Sequence, residues 1–276
     1  MKNISKMPIC KEWHEKRMKH PFFAEKLGEL EILRCWETSS RTYTVNNYKK
    51  IRDDILYELN DRKILNKKRT LLDIGCGPGT YAIPLSSHLK SIECLDSSHG
   101  MLARLLEECD KNNVENITTT FADWNTYVPS KKQDIAFTSL CPPTNSPESI
   151  LKMEKCAKHD CVYISSANAD SKISKALWKK VCKNYSFEGY NTNYPFQFLK
   201  EMGRSPELKM FTDKLAVDRS LEDAIDDEVK RFKNYAGTAE ELHNAVREVL
   251  TDFSQDSRII TESEIRVGLL VWSPLS

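Results

Sequence analysis

The chain has 276 residues, 40% apolar and 29% charged, which excludes a disordered chain and is enough to bury a sizeable core. Lys plus Arg number 41 against 40 Asp plus Glu, a formal charge of +1. That balance offers no broad positive field to a polyanion, so there is no strong signal for nucleic acid. No apolar run is long enough for a bilayer, and residues 1–20 lack the apolar core of a secretory leader, so a cytoplasmic protein is expected.

Nine cysteines stand at 10, 35, 76, 94, 109, 141, 156, 161 and 182 with no C-x-x-C pair. At this length and without a leader they read as reduced, mostly buried thiols. The one cluster worth weighing for a metal is Cys156, His159 and Cys161. Its spacing matches no familiar ligand pattern, and Cys161 opens an apolar run, so no metal is expected.

Residues 1–66 read as a charged helical segment, a lid or cap. Val45, Tyr48, Ile51, Ile55, Leu56 and Leu59 recur at threes and fours, which predicts a helix over 45–60. Upstream, Trp13, Phe22, Phe23, Leu27, Leu30, Leu33 and Trp36 are aromatic-rich but less regular. His14 and His20 read as surface residues.

From residue 70 the rhythm becomes strand, helix, strand. TLLDI (70–74) is a strand followed by a glycine turn opening a helix, and SIECLD (91–96) is the second, with a helix over 99–111. NITTTFAD (116–123) and DIAFTSL (134–140) are the third and fourth, the latter followed by a helix over 147–158. CVYISS (161–166) is the fifth, and a helix carries Ile173, Ala176, Leu177 and Val181. This alternation predicts an α/β, doubly wound, mostly parallel sheet over 67–276. LKMFTDKLAV (208–217) reads as a sixth strand and IRVGLLVWS (265–273) as the last. Between them two helices begin with capping-box pairs, Ser220 with Asp223 and Thr238 with Glu241.

The turn Asp73-Ile-Gly75-Cys-Gly77-Pro-Gly79-Thr80 carries the chemistry. Gly75 and Gly77 allow positive φ and close approach of a ligand, and Gly79 allows close helix packing. Asp96 ends the second strand beside this turn, where a carboxylate suits ribose hydroxyls. Asp123 follows the third, where a carboxylate can accept the adenine amino hydrogens. The glycines are spaced G-x-G-x-G, with Thr80 where the dinucleotide fingerprint needs its last glycine. Asp73 would repel a pyrophosphate but would accept the ammonium end of S-adenosylmethionine. The residues favour that methyl donor. An NAD-binding oxidoreductase or a non-catalytic nucleotide-binding module is the alternative.

The stretch 69–166 resembles the class I S-adenosylmethionine-dependent methyltransferases. LLDIGCGPGTYAIPLS resembles their first motif, CLDSSHGML the second and FADW the adenine-side motif; DIAFTSL resembles the strand bordering the acceptor pocket. The resemblance implies a Rossmann-like, seven-stranded sheet with an antiparallel last strand, the N-terminal helices as lid and residues 218–256 as a helical insertion. It implies that Asp73, Gly75, Gly77 and Gly79 face the methionyl part, Asp96 the ribose and Met101 the adenine. Asp123 and the Trp124 N–H would read the adenine edge, and Thr138 would border the cofactor.

In-line methyl transfer needs alignment and exclusion of water, and a general base only if the acceptor arrives protonated. No catalytic side chain is therefore assigned. SLCPPT (139–144) is similar to the D/N-P-P-aromatic motif of amino-group methyltransferases, with Cys141 and Thr144 in place of its polar and aromatic residues. His99 follows the ribose acid and reads as a cofactor neighbour or helix-start residue. Pocket candidates are Trp13, Tyr43, Tyr48, Cys141 and Tyr194, with Phe196 beside them. The enclosed site expected under a lid suits a small-molecule acceptor; a protein or RNA acceptor is the alternative.

Overall fold

A computed structural model of the chain describes residues 4–20, 23, 34, 36–38, 40, 49–167, 171–181, 190–233 and 237–275. Its strands are β1 (Thr70–Ile74), β2 (Ser91–Asp96), β3 (Ile117–Phe121), β4 (Gln133–Ser139), β5 (Ala157–Ser166), β6 (Glu207–Ser220) and β7 (Arg258–Trp272). They form one sheet in the order β3-β2-β1-β4-β5-β7-β6. β1 to β5 pair in parallel, and β7 runs antiparallel to β5 and β6. This is the expected doubly wound sheet with a reversed last strand. The strand order turns back between β1 and β4, which opens a crevice at their carboxyl ends.

The described helices are α1 (Pro8–Arg17), α2 (Lys49–Asp61), α3 (Ala82–Ser86), α4 (His99–Asn112), α5 (Pro147–Cys156), α6 (Lys172–Val181), α7 (Asn193–Glu201), α8 (Leu221–Phe232) and α9 (Ala239–Phe253). Because strand side chains alternate between faces, the core divides in two. Leu71, Ile92, Phe137 and Val162 meet Ile51, Ile55 and Leu59 of α2 and Leu102 and Leu105 of α4. On the other face Leu72, Ile74, Ala136 and Tyr163 meet Trp13 of α1, Ile150 of α5 and Phe198 of α7. A third cluster joins α6, α8 and α9 around Trp178, Phe232, Leu250 and Ile259. No described helix is long and apolar enough to cross a membrane.

Some local readings change. The helix after β1 begins only at Ala82 and has five residues, because the preceding glycines adopt left-handed backbone that a helix cannot use. β5 starts at Ala157, four residues earlier than expected, where the backbone turns extended directly after α5. Thr238 and Glu241 form a full capping box. Ser220 accepts from the Asp223 N–H but donates its own hydroxyl to the Asp223 carboxylate, since aspartate is one methylene too short to reach back. His159 is exposed beside Asp134 while Cys156 and Cys161 are buried. Of the described cysteines all but Cys141 are buried, and all are free thiols.

His20 corrects the surface reading. It is buried against Tyr190 and Phe23, and burial together with Arg17 pushes its pKa down to about 3. The aromatic neighbours exclude the water that a charged imidazole needs.

Candidate functional site

The chain leaves β1 at Ile74 through Gly75, Gly77 and Gly79, whose φ values are 71°, 54° and 89°. The Gly75 and Cys76 amides donate to the Leu95 carbonyl at 2.8 and 3.1 Å, which folds the turn over the end of β2. The three glycines serve different ends. A Cβ on Gly75 would collide with Cys141, and one on Gly79 with Leu105 of α4. A Cβ on Gly77 would meet nothing within 4 Å. Two glycines therefore make room for protein, and the third presents bare backbone to open space.

Asp96 braces that backbone. Its Oδ2 accepts from the Gly77 N–H and its Oδ1 from the Ser98 N–H, each at 2.9 Å. The carboxylate keeps acceptor capacity for a hydroxyl. Burial raises its pKa, and the Ser98, Gly77 and Ser97 amides oppose that rise. Asp73, buried beneath the turn, goes up to about 8 through burial and then the nearby Asp96. A buried acid held partly neutral in this way is suited to a cationic partner.

Further along the sheet edge, Asp123 uses Oδ1 to accept from the Asn125 N–H at 2.8 Å. The Trp124 side chain is buried and donates to Ser149 Oγ at 3.2 Å. Met101 is buried at the first turn of α4, its N–H donating to Ser98 Oγ at 3.1 Å. His99 is exposed and stacks on Phe121 at 3.6 Å between ring centroids.

Across the crevice, Thr138 is fully buried and donates to the Ile74 carbonyl at 2.9 Å, tying β4 to β1. Leu140 has a φ of 48°, which swings the following loop back so that Cys141 abuts Gly75. Burial pushes the Cys141 thiol up to about 12, so it stays protonated. Thr144 turns inward, donating to the Cys141 carbonyl at 2.7 Å. The Pro142 carbonyl accepts from the Asn145 N–H and the Pro143 carbonyl from Ser149 Oγ. Both proline carbonyls are thus engaged inside the loop.

Of the pocket candidates, Tyr43 and Tyr48 lie outside the described residues. Trp13 is fully buried, stacks on Tyr194 at 6.0 Å and donates to Asn145 Oδ1 at 3.1 Å. Asn145 Nδ2 in turn donates to the Tyr163 hydroxyl at 2.9 Å. Tyr194 donates to Glu12 at 2.9 Å. Phe196 packs at the edge of the same cluster. Trp13 and Tyr194 thus join α1 to α7, and Asn145 ties them to the loop after β4.

Sequence reasoning missed the second anchor of the N-terminal segment. Glu37 accepts from Ser98 Oγ at 2.6 Å and from the Gly100 N–H at 3.0 Å, and Arg104 donates to the Ser40 carbonyl at 2.8 Å. A Cβ on Gly100 would collide with Ser40 and Glu37. The available signal was a glycine in the first turn of α4, where every residue but proline has the higher helix propensity.

Comparison with known proteins agrees with this geometry. Residues 71–160 match the profile of a methyltransferase domain. A protein of Haemophilus influenzae with no assigned function is 43% identical over 54 residues, 20% of each chain. The 23S rRNA (uracil(1939)-C(5))-methyltransferase RlmD of Francisella tularensis subsp. novicida is 26% identical over 76 residues, 26% of this chain and 17% of that one. The chain thus spans about a fifth of the length of these curated relatives. Among solved structures, a Bacillus halodurans protein assigned to the methyltransferases superposes with a TM-score of 0.55 at 14% identity, covering 80% of this chain and 99% of that one. The YcgJ protein of Bacillus subtilis gives 0.52 at 12% identity, covering 77% and 94%. At such identities the likeness speaks for the fold. The matched profile thus marks residues 71–160 as a methyltransferase domain, and the sheet order around it is that of a Rossmann-like fold.

Proposed function

We propose that the chain transfers the methyl group of S-adenosylmethionine to a small-molecule acceptor. The observation that carries the reading is the bare backbone of Gly77, set between the carboxylate of Asp96 and the buried acid Asp73. When bound, the cofactor supplies an electrophilic methyl together with its own leaving group. The chain's part is to bind, orient and exclude water. Asp96 would hold the ribose hydroxyls, and Asp123 with the Trp124 N–H the adenine edge, with Met101 beside the ring. Asp73 and the backbone at Gly75 and Gly77 would hold the amino-acid end. Thr138 fixes β4 against β1, and Cys141 closes the side of the crevice toward the acceptor.

A small acceptor is supported by the near-neutral charge and by the packing of α1 and Glu37 on either side of the crevice. Thermal shifts with S-adenosylmethionine, S-adenosylhomocysteine and NAD test the cofactor; stabilisation by NAD alone would overturn it. The RNA-acting Francisella relative favours a second reading, an RNA acceptor. That reading expects RNA affinity to fall steeply with salt, whereas a small acceptor expects no measurable RNA binding at physiological ionic strength.

A further inference from the structure

We propose that Arg17 anchors a carboxylate of the methyl acceptor, an assignment that rests on the methyl-transfer reading above. Arg17 ends α1 one turn after Trp13, so the two side chains share a face. Trp13, Asn145 and Tyr163 hydrogen-bond in series, holding that face of α1 against the loop after β4. Tyr163 neighbours both Arg17 and Cys141, and Cys141 abuts Gly75. The guanidinium therefore stands on the acceptor side of the glycine turn, away from the ribose acid.

Among the described residues the cation there has no counter-ion. Its Nε is buried with no hydrogen-bond partner, and among the described residues it forms no ion pair. The groups that face it are Tyr163, Glu148 and Tyr190, and their pull does not offset the burial that lowers its pKa. Glu148 is exposed at the start of α5 and acts only from a distance. The Phe23 ring covers one side of the guanidinium, 3.8 Å from Cζ to centroid, leaving its N–H edge to hydrogen-bond. A desolvated guanidinium is costly unless an anion completes it, and its planar fork matches a carboxylate. Neighbouring His20 is neutral, so a phosphate dianion would meet a single positive charge. One cation among aromatic rings suits a monoanion on a largely apolar body.

The test uses the full chain saturated with S-adenosylhomocysteine, titrated calorimetrically with matched carboxylic acids and primary amides from acetate and benzoate to indole-3-acetate, with phenyl phosphate as the dianion. At least one acid is expected to bind about tenfold tighter than its amide, the scale of one charge-assisted hydrogen bond. Arg17→Gln should erase that preference and Arg17→Lys retain part of it, with S-adenosylhomocysteine affinity unchanged in both. A preference that survives Arg17→Gln would refute the anchor, as would acids no better than amides or tighter binding of phenyl phosphate. Failure of S-adenosylhomocysteine to bind the unaltered chain would instead remove the methyl-transfer reading. Should Arg17→Gln lose its fold by circular dichroism, Arg17→Lys and the acid-to-amide ratio of the unaltered chain decide.

Discussion

Gly77 and Asp96 make the cofactor cradle testable one side chain at a time. Gly77→Val adds a side chain on the open face of a residue at φ 54°, so cofactor binding should disappear from a protein that still folds. Circular dichroism with calorimetry checks this, and retained binding would refute the cradle. Asp96→Ala removes the acceptor of the Gly77 and Ser98 amides and should weaken cofactor binding by about 1.5–3 kcal/mol; unchanged calorimetric affinity would show the acid is misassigned. Asp73 links the site to pH. Its pKa rises from 3.8 to about 8 on burial, so the neutral acid supports the empty fold fully below about pH 4 and that support is lost as pH rises through 8. A cationic ligand end favours the carboxylate instead. Cofactor affinity should therefore rise by up to about tenfold per pH unit toward pH 8, with proton release visible in buffers of different ionisation enthalpy. Asp73→Asn should flatten the profile, and a profile already flat in the unaltered chain would show that this acid does not face the cofactor's charge.

At the scale of elements, the N-terminal segment is pinned at two places. One is the Trp13 face of α1, and the other is Glu37 and Ser40 against the first turns of α4. Gly100→Val should push Glu37 and Ser40 away from α4 while leaving that helix intact. Faster cofactor release, by about tenfold in stopped-flow, is expected from the lost charge-assisted bonds; an unaltered release rate would show that this contact does not gate the site. These same elements show what the sequence made legible. Strands β1 and β2 and the turn between β1 and α3 were readable because apolar runs ending in Gly or Asp leave few alternatives, and β4 because the apolar run 135–137 is closed by Pro142 and Pro143. α2 was readable by its stripe of Ile51, Ile55 and Leu59, which packs on a sheet face. Glu37 was not readable, because a glutamate that caps a distant helix looks locally like any solvated charge. His20 was misread for the same reason: its burial depends on Tyr190, some 170 residues away, and no local periodicity reports such a contact.

On the scale of the whole molecule, the residues proposed to cradle the cofactor occupy β1 to β4 and their loops, whereas those proposed to flank the acceptor come from α1 and the loop after β4. Acceptor choice can therefore drift without disturbing the cradle. The third apolar cluster extends this division of labour. Trp178, Phe232, Leu250 and Ile259 of β7 pack in a cluster distinct from the two that flank the sheet, so α6, α8 and α9 are expected to open as a cooperative unit. Amide hydrogens of α8 and α9 should then exchange at a rate that saturating cofactor leaves unaltered, while those of β1 and α4 slow markedly. Uniform slowing across both regions would mean that the molecule opens as one body.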